Sequence, residues 1–503
     1  MRKVISVLLT ITMLLCIIAS VPFSASAATT NKVESGFSYD DSQGTWIYEL
    51  INDSTATRIS YYIGTETEIK IPAIIPHKTS DKTTDLPVIE IGNGVTGDLF
   101  EEVDDTLTKV IIPDGVKVIG TNTFSHCYNL KEVNMPKALE VIGNYAFYCC
   151  YSLTSITLPD GLRTIGNYAF NDCSALTNVT LSDGLKTIGN YAFWSCNAFT
   201  DITIPDSVTS IGENAFYACT ALTSVTLPNN IKTIPKSMFA GCALTSITIP
   251  ESVTSIGGWA FSTCRSLTSI TIPDKVTKIE NGTFYNCNSL TNVILPDSLT
   301  TIDSNAFYKC SSLTDITLPD SLTTIGYEAF YGCKAFTDVI IPESVTTIGY
   351  SAFYGCSSLT SITIPDSVTS IANSTFRWCG ALTGITIPDS VTSIGIGAFE
   401  NCSKLSDVYY TGSEDDWNDI SISSINNKYL TNATIHFNYS KPIAGDVTGD
   451  GEVAVNDVIY VLKYVVGNVE LTKEQFAKAD LSGDGKITIV DAIMVQRFVL
   501  NMV

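Results

Sequence analysis

The stretch that decides the fold is residues 313–333, LTDITLPDSLTTIGYEAFYGC, which recurs with few changes along most of the 503-residue chain. Its proline, Pro319, belongs to a series with a step of 23 residues, apart from one step of 22 between Pro228 and Pro250. Ser182 fills one place in the series. A fixed period of this length predicts a solenoid, in which each coil buries its apolar face only against its neighbours.

Each coil has the same internal order when it is counted from its proline. Ile stands six residues after the proline, Phe eleven and Cys fourteen in every copy. Before the proline, apolar residues alternate with small polar ones, as in residues 270–272, which predicts a short half-buried strand that the proline ends. After it we expect a turn, a second apolar pair, a glycine such as Gly349 that lets the chain turn, and a short helical turn over residues 351–356.

These residues, with the pattern LxxIxIPxxVxxIGxxAFxxC, resemble the BspA-type leucine-rich repeats of bacterial surface proteins. The resemblance implies an α/β leucine-rich-repeat solenoid of 23-residue coils, with a parallel sheet on the concave side and roles in adhesion or protein binding. We assign residues 107–410 to the repeats, 28–106 to an N-terminal cap or β region and 411–439 to a C-terminal cap. A small separate β module is the alternative for the N-terminal region.

The first 27 residues have the features of a secretory signal peptide. Arg2 and Lys3 precede an apolar run over residues 4–18, and Ala25-Ser26-Ala27 offers a small-residue cleavage site. A retained membrane anchor is the alternative. We therefore expect a secreted, extracellular protein without membrane insertion after cleavage. The formal net charge of −22 argues against nucleic acid as a partner, because it repels phosphate backbones.

The composition changes after a short linker, residues 440–444. Residues 446–457 and 480–491 match each other, and each twelve-residue loop has carboxylates at positions 1, 5 and 12 and Gly at position 6. Calcium takes six to eight oxygen ligands, and loops of this spacing wrap around it. Position 7 would contribute only its backbone carbonyl, and the hydroxyls at position 3 are weaker ligands than carboxylates. The candidate ligands are Asp446, Thr448, Asp450, Glu452 and Asp457 in the first loop and Asp480, Ser482, Asp484, Lys486 and Asp491 in the second.

Each loop leads into a helix with apolar periodicity, over residues 458–466 and 492–500, and a capping box at Thr472 opens a third. Residues 445–503 resemble the type I dockerin, a small all-α calcium-binding domain that binds a cohesin module of a cellulosomal scaffoldin. The resemblance implies two Ca²⁺ ions and a cohesin partner. Its recognition positions, which are largely apolar in this chain, are Val455, Asn456, Leu462 and Lys463 in the first copy and Ile489, Val490, Gln496 and Arg497 in the second.

Two columns of side chains along the repeats admit a structural and a functional interpretation. Thirteen cysteines occupy the same place in successive coils, and we predict buried free thiols, because stacked coils give poor geometry for a disulfide. An aromatic column one residue after the Phe could stack on sugar rings, although packing between coils is the simpler role. Its members are Tyr148, Trp194, Tyr217, Tyr285, Tyr308, Tyr331 and Tyr354.

The sequence gives catalysis little support. The three histidines, His77, His126 and His436, are far apart, and no nucleophile elbow, zinc motif or phosphate loop is visible. We therefore predict a non-catalytic cellulosome-associated protein, whose dockerin binds a cohesin while the solenoid binds an unknown protein or glycan ligand on a cell surface or plant cell wall. The alternatives are a glycan-active enzyme with a site hidden in the N-terminal region and a purely structural spacer.

Overall fold

The structure is a computed structural model that describes residues 34–92, 98–314, 316–440, 445–448, 453–481 and 486–499. The predicted signal peptide lies outside these residues, and so do four candidate ligands, Asp450, Glu452, Ser482 and Asp484. The chain divides into two compact units, residues 1–316 and 317–503, and each is described by itself.

The coils build the predicted parallel solenoid from two columns of short strands. The first column precedes the prolines, as expected. The second lies on the apolar pair that ends six residues after each proline, which the sequence analysis did not assign to strands. Cα partners in both columns are one repeat apart, as in Val141 and Thr164. The 22-residue step is absorbed without a register shift, since Thr233 pairs with Ser255.

In the first unit the strands run as follows. The first column contains β4 (Glu68–Lys70), β7 (Lys109–Ile111), β9 (Glu132–Val133), β11 (Ser155–Thr157), β13 (Asn178–Thr180), β15 (Asp201–Thr203), β17 (Ser224–Thr226), β20 (Ser269–Thr271) and β22 (Asn292–Ile294). The second column contains β8 (Val118–Ile119), β10 (Val141–Ile142), β12 (Thr164–Ile165), β14 (Thr187–Ile188), β16 (Ser210–Ile211), β18 (Thr233–Ile234), β19 (Ser255–Ile256), β21 (Lys278–Ile279) and β23 (Thr301–Ile302).

The N-terminal strands join the sheet of the coils. They are β1 (Glu34–Asp40), β2 (Thr45–Ile51), β3 (Ala56–Ile63), β5 (Ile74–Lys78) and β6 (Thr83–Ile91). β1, β2 and β3 are antiparallel, whereas β3 pairs with β6 and β6 with β8 in the parallel sense. The sheet therefore runs without a break from the N-terminal region into the second column of the repeats.

The second unit contains the last repeats, their end and a small helical domain. Its strands are β24 (Thr324–Ile325), β25 (Thr347–Ile348), β26 (Ser361–Thr363), β27 (Ser370–Ile371), β28 (Gly384–Ile387), β29 (Ser393–Ile394), β30 (Asp407–Tyr410), β31 (Ser421–Ile422) and β32 (Thr434–His436). Its helices are α1 (Glu414–Asn418), α2 (Lys428–Thr431), α3 (Val455–Val465), α4 (Lys473–Ala479) and α5 (Ile489–Val499). β30 and β32 continue the first column past the last proline.

The segment between the glycine and the cysteine of each coil is a pair of tight turns rather than the expected helical turn. In residues 191–196, the amides of Tyr191, Phe193 and Ser195 donate to carbonyls of the next coil, at 2.8–2.9 Å. The amides of Trp194 and Cys196 instead close turns within the coil. A helix would direct all of these amides along its own axis. Here every second amide points to the next coil instead, and these hydrogen bonds join neighbouring coils.

The core of each coil is a Phe ring stacked on the Phe of its neighbours, with the cysteine beside it. Consecutive rings from Phe124 to Phe307 lie 5.0–5.9 Å apart, and they are fully buried. Eleven of the described thiols also have a polar partner in the coil before them. Cys287 Sγ donates to the carbonyl of Phe261 at 3.1 Å, and the other thiols described this way do so at 3.0–3.3 Å.

Candidate functional site

The first C-terminal loop is closed by the carboxylate at its twelfth position. Asp457 is fully buried, and its Oδ1 accepts from the backbone N–H and the hydroxyl of Thr448, at 2.8 and 2.9 Å. Its Oδ2 accepts from the N–H of Ala454 at 2.8 Å. One side chain thus joins the third position of the loop to the start of α3. This is why α3 begins at Val455, three residues before the sequence suggested.

The second loop repeats this arrangement around Asp491, which is also fully buried. Its Oδ2 accepts from the N–H and the hydroxyl of Thr488, at 2.8 and 3.1 Å. Thr488 holds the ninth position of its loop, as Ala454 does in the first. The side chain of Lys486 is exposed, in keeping with a position that would contribute only its carbonyl.

The first loop also meets α4, which the sequence analysis did not foresee. Asp446 is 3% exposed, and its Oδ2 lies 3.9 Å from Lys478 Nζ. The N–H of Gly445 donates to the carbonyl of Lys478 at 2.8 Å, so the end of α4 lies against the start of the loop. The predicted capping box is present at the other end of α4. The Gln475 side chain accepts from the backbone N–H of Thr472, and the Thr472 hydroxyl accepts from the backbone N–H of Gln475.

The residues of both loops fit a hard cation. Asp446, Asp457 and Asp491 are carboxylates buried almost completely, and burying such a charge is costly unless a cation or several donors compensate it. The hydroxyl of Thr448 donates to the carboxylate of Asp457, so the first loop has a hydroxyl oxygen beside its carboxylate oxygens. Within the residues that the structure describes, no group of three His, Cys, Asp or Glu side chains forms a cluster suited to a metal ion.

The three helices share a small core, and its position separates buried from exposed apolar residues. Val447, Val461, Ala479, Ala492 and Val495 are buried there. Leu462 packs against this core and is half-buried. Ile459 and Val466, which the sequence places on the same helix face as Leu462, are 46% and 66% exposed.

Seven of the eight predicted recognition residues lie on the surface of α3 and α5. Val455, Ile489 and Val490 are 60%, 55% and 52% exposed, and Asn456, Lys463, Gln496 and Arg497 are exposed as well. The structure adds Ile459 and Ile493, at 46% and 45% exposure, which occupy equivalent places in the two copies. Each helix therefore presents a matching exposed row of apolar residues with a basic residue at its end. The equal spacing of Ile459 and Ile493 from their loops was a signal in the sequence.

The small polar residues that alternate with the apolar ones before each proline form an exposed hydroxyl face. In the first unit it consists of Thr157, Thr180, Thr203, Thr226, Thr248 and Thr271. The predicted aromatic column is also present, with Tyr331 and Tyr354 stacked face to face and Trp194 and Tyr217 edge to face. Tyr285 and Tyr308 lie 4.6 Å apart, as do Tyr168 and Tyr191 of a second row three residues earlier in the coil. The stacked pairs have the packing role that the sequence analysis favoured.

The histidines lie in three separate places. His77 Nδ1 is 2.9 Å from the hydroxyl of Tyr48 in the N-terminal strands, and His126 Nδ1 is 3.3 Å from Asp98 Oδ2. His436 Nε2 lies 2.8 Å from Asp407 Oδ1, and this contact lowers the pKa of Asp407. In the part of the chain that is described, each histidine has its own partner, and the structure brings none of them together.

Comparison with known proteins agrees with this geometry. An array of coils followed by a small helical domain of duplicated loops is a combination of protein-interaction modules. Residues 95–223, 209–335 and 325–441 match the BspA type leucine rich repeat region, and residues 444–500 match the dockerin type I domain. The chain belongs to the BspA-type leucine-rich repeat family and has a type I dockerin domain near its C-terminal end.

Two solved structures illustrate the relationship. A leucine-rich repeat protein from Bacteroides ovatus is 26% identical, with a TM-score of 0.61 over 79% of this chain and 99% of that one. A leucine rich cell surface protein from Faecalibacterium prausnitzii is 30% identical, with a TM-score of 0.45 over 78% of this chain and 99% of that one. A search of curated proteins gave no match. Among the described residues, every helix is too short or too polar to traverse a bilayer.

Proposed function

We propose that this protein is a secreted, non-catalytic component of a cellulosome. Its dockerin binds a cohesin of a scaffoldin in a calcium-dependent way, while the repeats mediate protein binding or adhesion to a cell surface or plant cell wall. The observation that carries the proposal is the duplicated loop and helix, in which a buried carboxylate closes each loop and an exposed apolar row follows it. The match of residues 444–500 to the dockerin model supports the same function.

Two calcium ions would be held by the ten loop residues named from the sequence, with Glu452 and Lys486 contributing their carbonyls. When bound, the ion would add positive charge beside the buried carboxylates. Asp457 and Asp491 themselves fix the first turns of α3 and α5 on their loops. Calcium would therefore order the two helices that carry the exposed rows.

The apolar rows supply the contact surface for the cohesin. Ile459 and Ile493 are exposed branched side chains at the centre of their rows, flanked by Val455 and Ile489. Such residues become buried in a specific interface, whereas charged residues are excluded from its centre. Lys463 and Arg497 lie at the rim, where they would set orientation rather than affinity.

The domain limits belong to the same proposal. We propose a signal peptide at residues 1–27, an N-terminal cap at 28–106, repeats at 107–410, a C-terminal cap at 411–439, a linker at 440–444 and the dockerin at 445–503. The N-terminal cap is supported by β6, which pairs with β8 of the first coil and so covers the end of the array.

The decisive experiment is a pull-down of the full-length chain with a panel of cohesins, with and without EDTA. We expect one cohesin to be retained in calcium and lost in EDTA. Asp457→Ala combined with Asp491→Ala should abolish retention, and so should Ile459→Asp combined with Ile493→Asp. The control is Ile425→Asp, which changes an equally exposed isoleucine outside the dockerin.

Three results would contradict the proposal: equal retention in EDTA, no retention by any cohesin, or retention unchanged in both double variants. Turnover of a glycan by the full-length chain would contradict the non-catalytic part. These outcomes are independent of each other. The pull-down reports binding through the dockerin, whereas the hydrolase assay reports turnover by any part of the chain.

A further inference from the structure

Between Tyr148 and Tyr308 the aromatic column has two interruptions, a single coil at Asn171 and then a wider one over two successive coils. Trp194 and Tyr217 lie in contact at 5.7 Å, and Tyr285 and Tyr308 at 4.6 Å. In the two coils between these pairs the equivalent residues are Ala240 and Ser262, and both are buried. Three coil steps of about 4.8 Å leave roughly 14 Å between the rings of Tyr217 and Tyr285.

The wider interruption is an open cleft of about 610 Å³. Its floor includes Ala240 and Gly241, and the hydroxyls of Ser237, Ser262 and Thr263 line it. The single 22-residue step of the series falls at the same coil, between Pro228 and Pro250, and the shortened loop begins at Ala243 on the rim. Two departures from the repeat therefore coincide at one site.

Aromatic rings form two walls of the cleft. Tyr217 lies on one side, 37% exposed, and Trp259 on the other. The indole of Trp259 is held against Tyr285 at 5.2 Å. It can lie there because Gly282 follows in the next coil, where a Cβ atom would come within 2.6 Å of the indole. The apolar C–H face of a pyranose ring packs well on the electron-rich face of such rings.

The cleft has one positive charge, which would favour an acidic sugar. Arg265 is the charged residue among those lining the cleft, which include no carboxylate. Within the described residues its guanidinium has no ion pair, unlike Arg58 and Arg377, which pair with glutamates. A planar guanidinium matches a carboxylate with two parallel hydrogen bonds. In a chain with a net charge of −22, this is a local site for an anion.

We propose that the cleft between Tyr217 and Trp259 binds a hexuronic acid residue of a glycan, with the ring against the aromatic walls and the carboxylate on Arg265. The inference deepens the adhesion role proposed for the repeats and rests on it for its biological setting, but it does not depend on the dockerin. The hydroxyls of Ser237 and Thr263 provide donors and acceptors for the sugar hydroxyls.

The test is titration of the full-length chain with trigalacturonate and, separately, with the neutral trisaccharide cellotriose, followed by calorimetry and tryptophan fluorescence. We expect trigalacturonate to bind and to change the fluorescence of Trp259, and cellotriose to bind at least tenfold more weakly. Arg265→Ala should raise the Kd for trigalacturonate at least tenfold, and Arg265→Lys should raise it by less, because lysine keeps the charge but not the planar fork.

Ala240→Tyr is the sharpest variant, because it fills the cleft by restoring the aromatic column that the neighbouring coils already have. It should abolish binding of trigalacturonate and leave the melting temperature of the chain unchanged. Tyr308→Ala is the matched control, since it removes a ring of the same column outside the cleft and should leave the Kd unchanged.

Three outcomes would overturn the proposal: equal affinity for cellotriose, wild-type binding by Ala240→Tyr, or no binding of trigalacturonate at millimolar concentrations. A cohesin pull-down on the same preparations separates this failure from failure of the proposed function, since the variants lie outside the dockerin.

Discussion

At the scale of the residue, two positions in every coil hold the backbone in the left-handed region. They lie nine and thirteen residues after the proline. Glycine occupies some of them, as at Gly241 and Gly355. Most are filled by other residues, including Trp259 at φ 61° and Ala218 at φ 57°. A side chain with a Cβ pays roughly 1–2 kcal/mol in this conformation. The two tight turns require it, because they direct alternate amides toward the next coil.

We therefore expect Ala218→Gly to stabilise the protein by about 0.5–1 kcal/mol, because the relief of left-handed strain exceeds the added entropy of the unfolded chain. The measurement is the free energy of unfolding of the full-length chain in denaturant. The control is Ala221→Gly, three residues along the same coil and similarly half-buried, which is not left-handed and should lose about 0.5–1 kcal/mol. A loss in both variants would show that the strain is not relieved.

At the scale of the element, the glycine that nine of the thirteen coils carry seven residues after the proline serves close packing rather than the turn that the sequence suggested. Gly349 is not left-handed, and a Cβ there would lie 2.5 Å from the carbonyl carbon of Gly326 in the coil before it. Gly189 meets Asn167 and Gly166 in the same way, at 2.5 Å. The contact is with backbone atoms of the preceding coil, so a larger residue requires the local spacing to adjust, as it must in the coils that have Ala372 or Pro235 at this place.

Gly189→Ala should accordingly destabilise the protein by about 1–3 kcal/mol, since a methyl group would overlap the backbone of the preceding coil. Gly115→Ala is the matched control, because its Cβ would meet nothing closer than Val88 O at 4.0 Å. Thermal unfolding of the two full-length variants distinguishes them. Equal melting temperatures would mean that the coils can separate at no cost.

The same element explains the residue that follows the glycine. Asn144 Oδ1 accepts from the N–H of Asn167 at 2.8 Å, and Asn167 Oδ1 accepts from the N–H of Asn190 at the same distance. Each asparagine thus satisfies a backbone donor of the next coil that no strand pairs. The Gly-Asn pair is a coil-to-coil connection, although its composition alone resembles a turn.

At the scale of the whole molecule, the column of thiols couples stability to pH. All fourteen cysteines of residues 98–440 are buried, and none of them forms a disulfide. Burial raises the pKa of Cys219, Cys287 and Cys402 from an ordinary value of 9.0 to about 12. A thiolate in these places would lose its hydration and could no longer donate to the Phe carbonyl.

The sign of the effect follows from these pKa values. Above pH 9 an unfolded thiol loses its proton while the folded one keeps it, so the unfolded chain gains stability relative to the folded one. The free energy of unfolding should be constant below pH 9 in respect of the thiols and fall between pH 9 and 12, by about 1.4 kcal/mol per pH unit for each thiol in a cooperative unit. Denaturant unfolding at a series of pH values measures the slope of the unfolding free energy against pH. Cys287→Ala should reduce that slope by the contribution of one thiol, about 1.4 kcal/mol per pH unit. A flat profile would contradict the account.

The sequence determined the period, the residues of each coil, the pre-proline strands and the two C-terminal loops. Each follows from spacing along the chain, because the spacing determines the local geometry of a coil and also which residues of neighbouring coils lie side by side. The tertiary structure decided the rest. The second strand column exists because Ile325 and its equivalents meet a neighbouring coil, and a two-residue strand has no periodicity of its own. Only helix packing decides that Val461 is buried while Ile459 is exposed, because both belong to overlapping apolar stripes on α3. The cleft beside Trp259 is lined by three consecutive coils, and only the tertiary structure shows that the indole leans toward Tyr285 and leaves the space open.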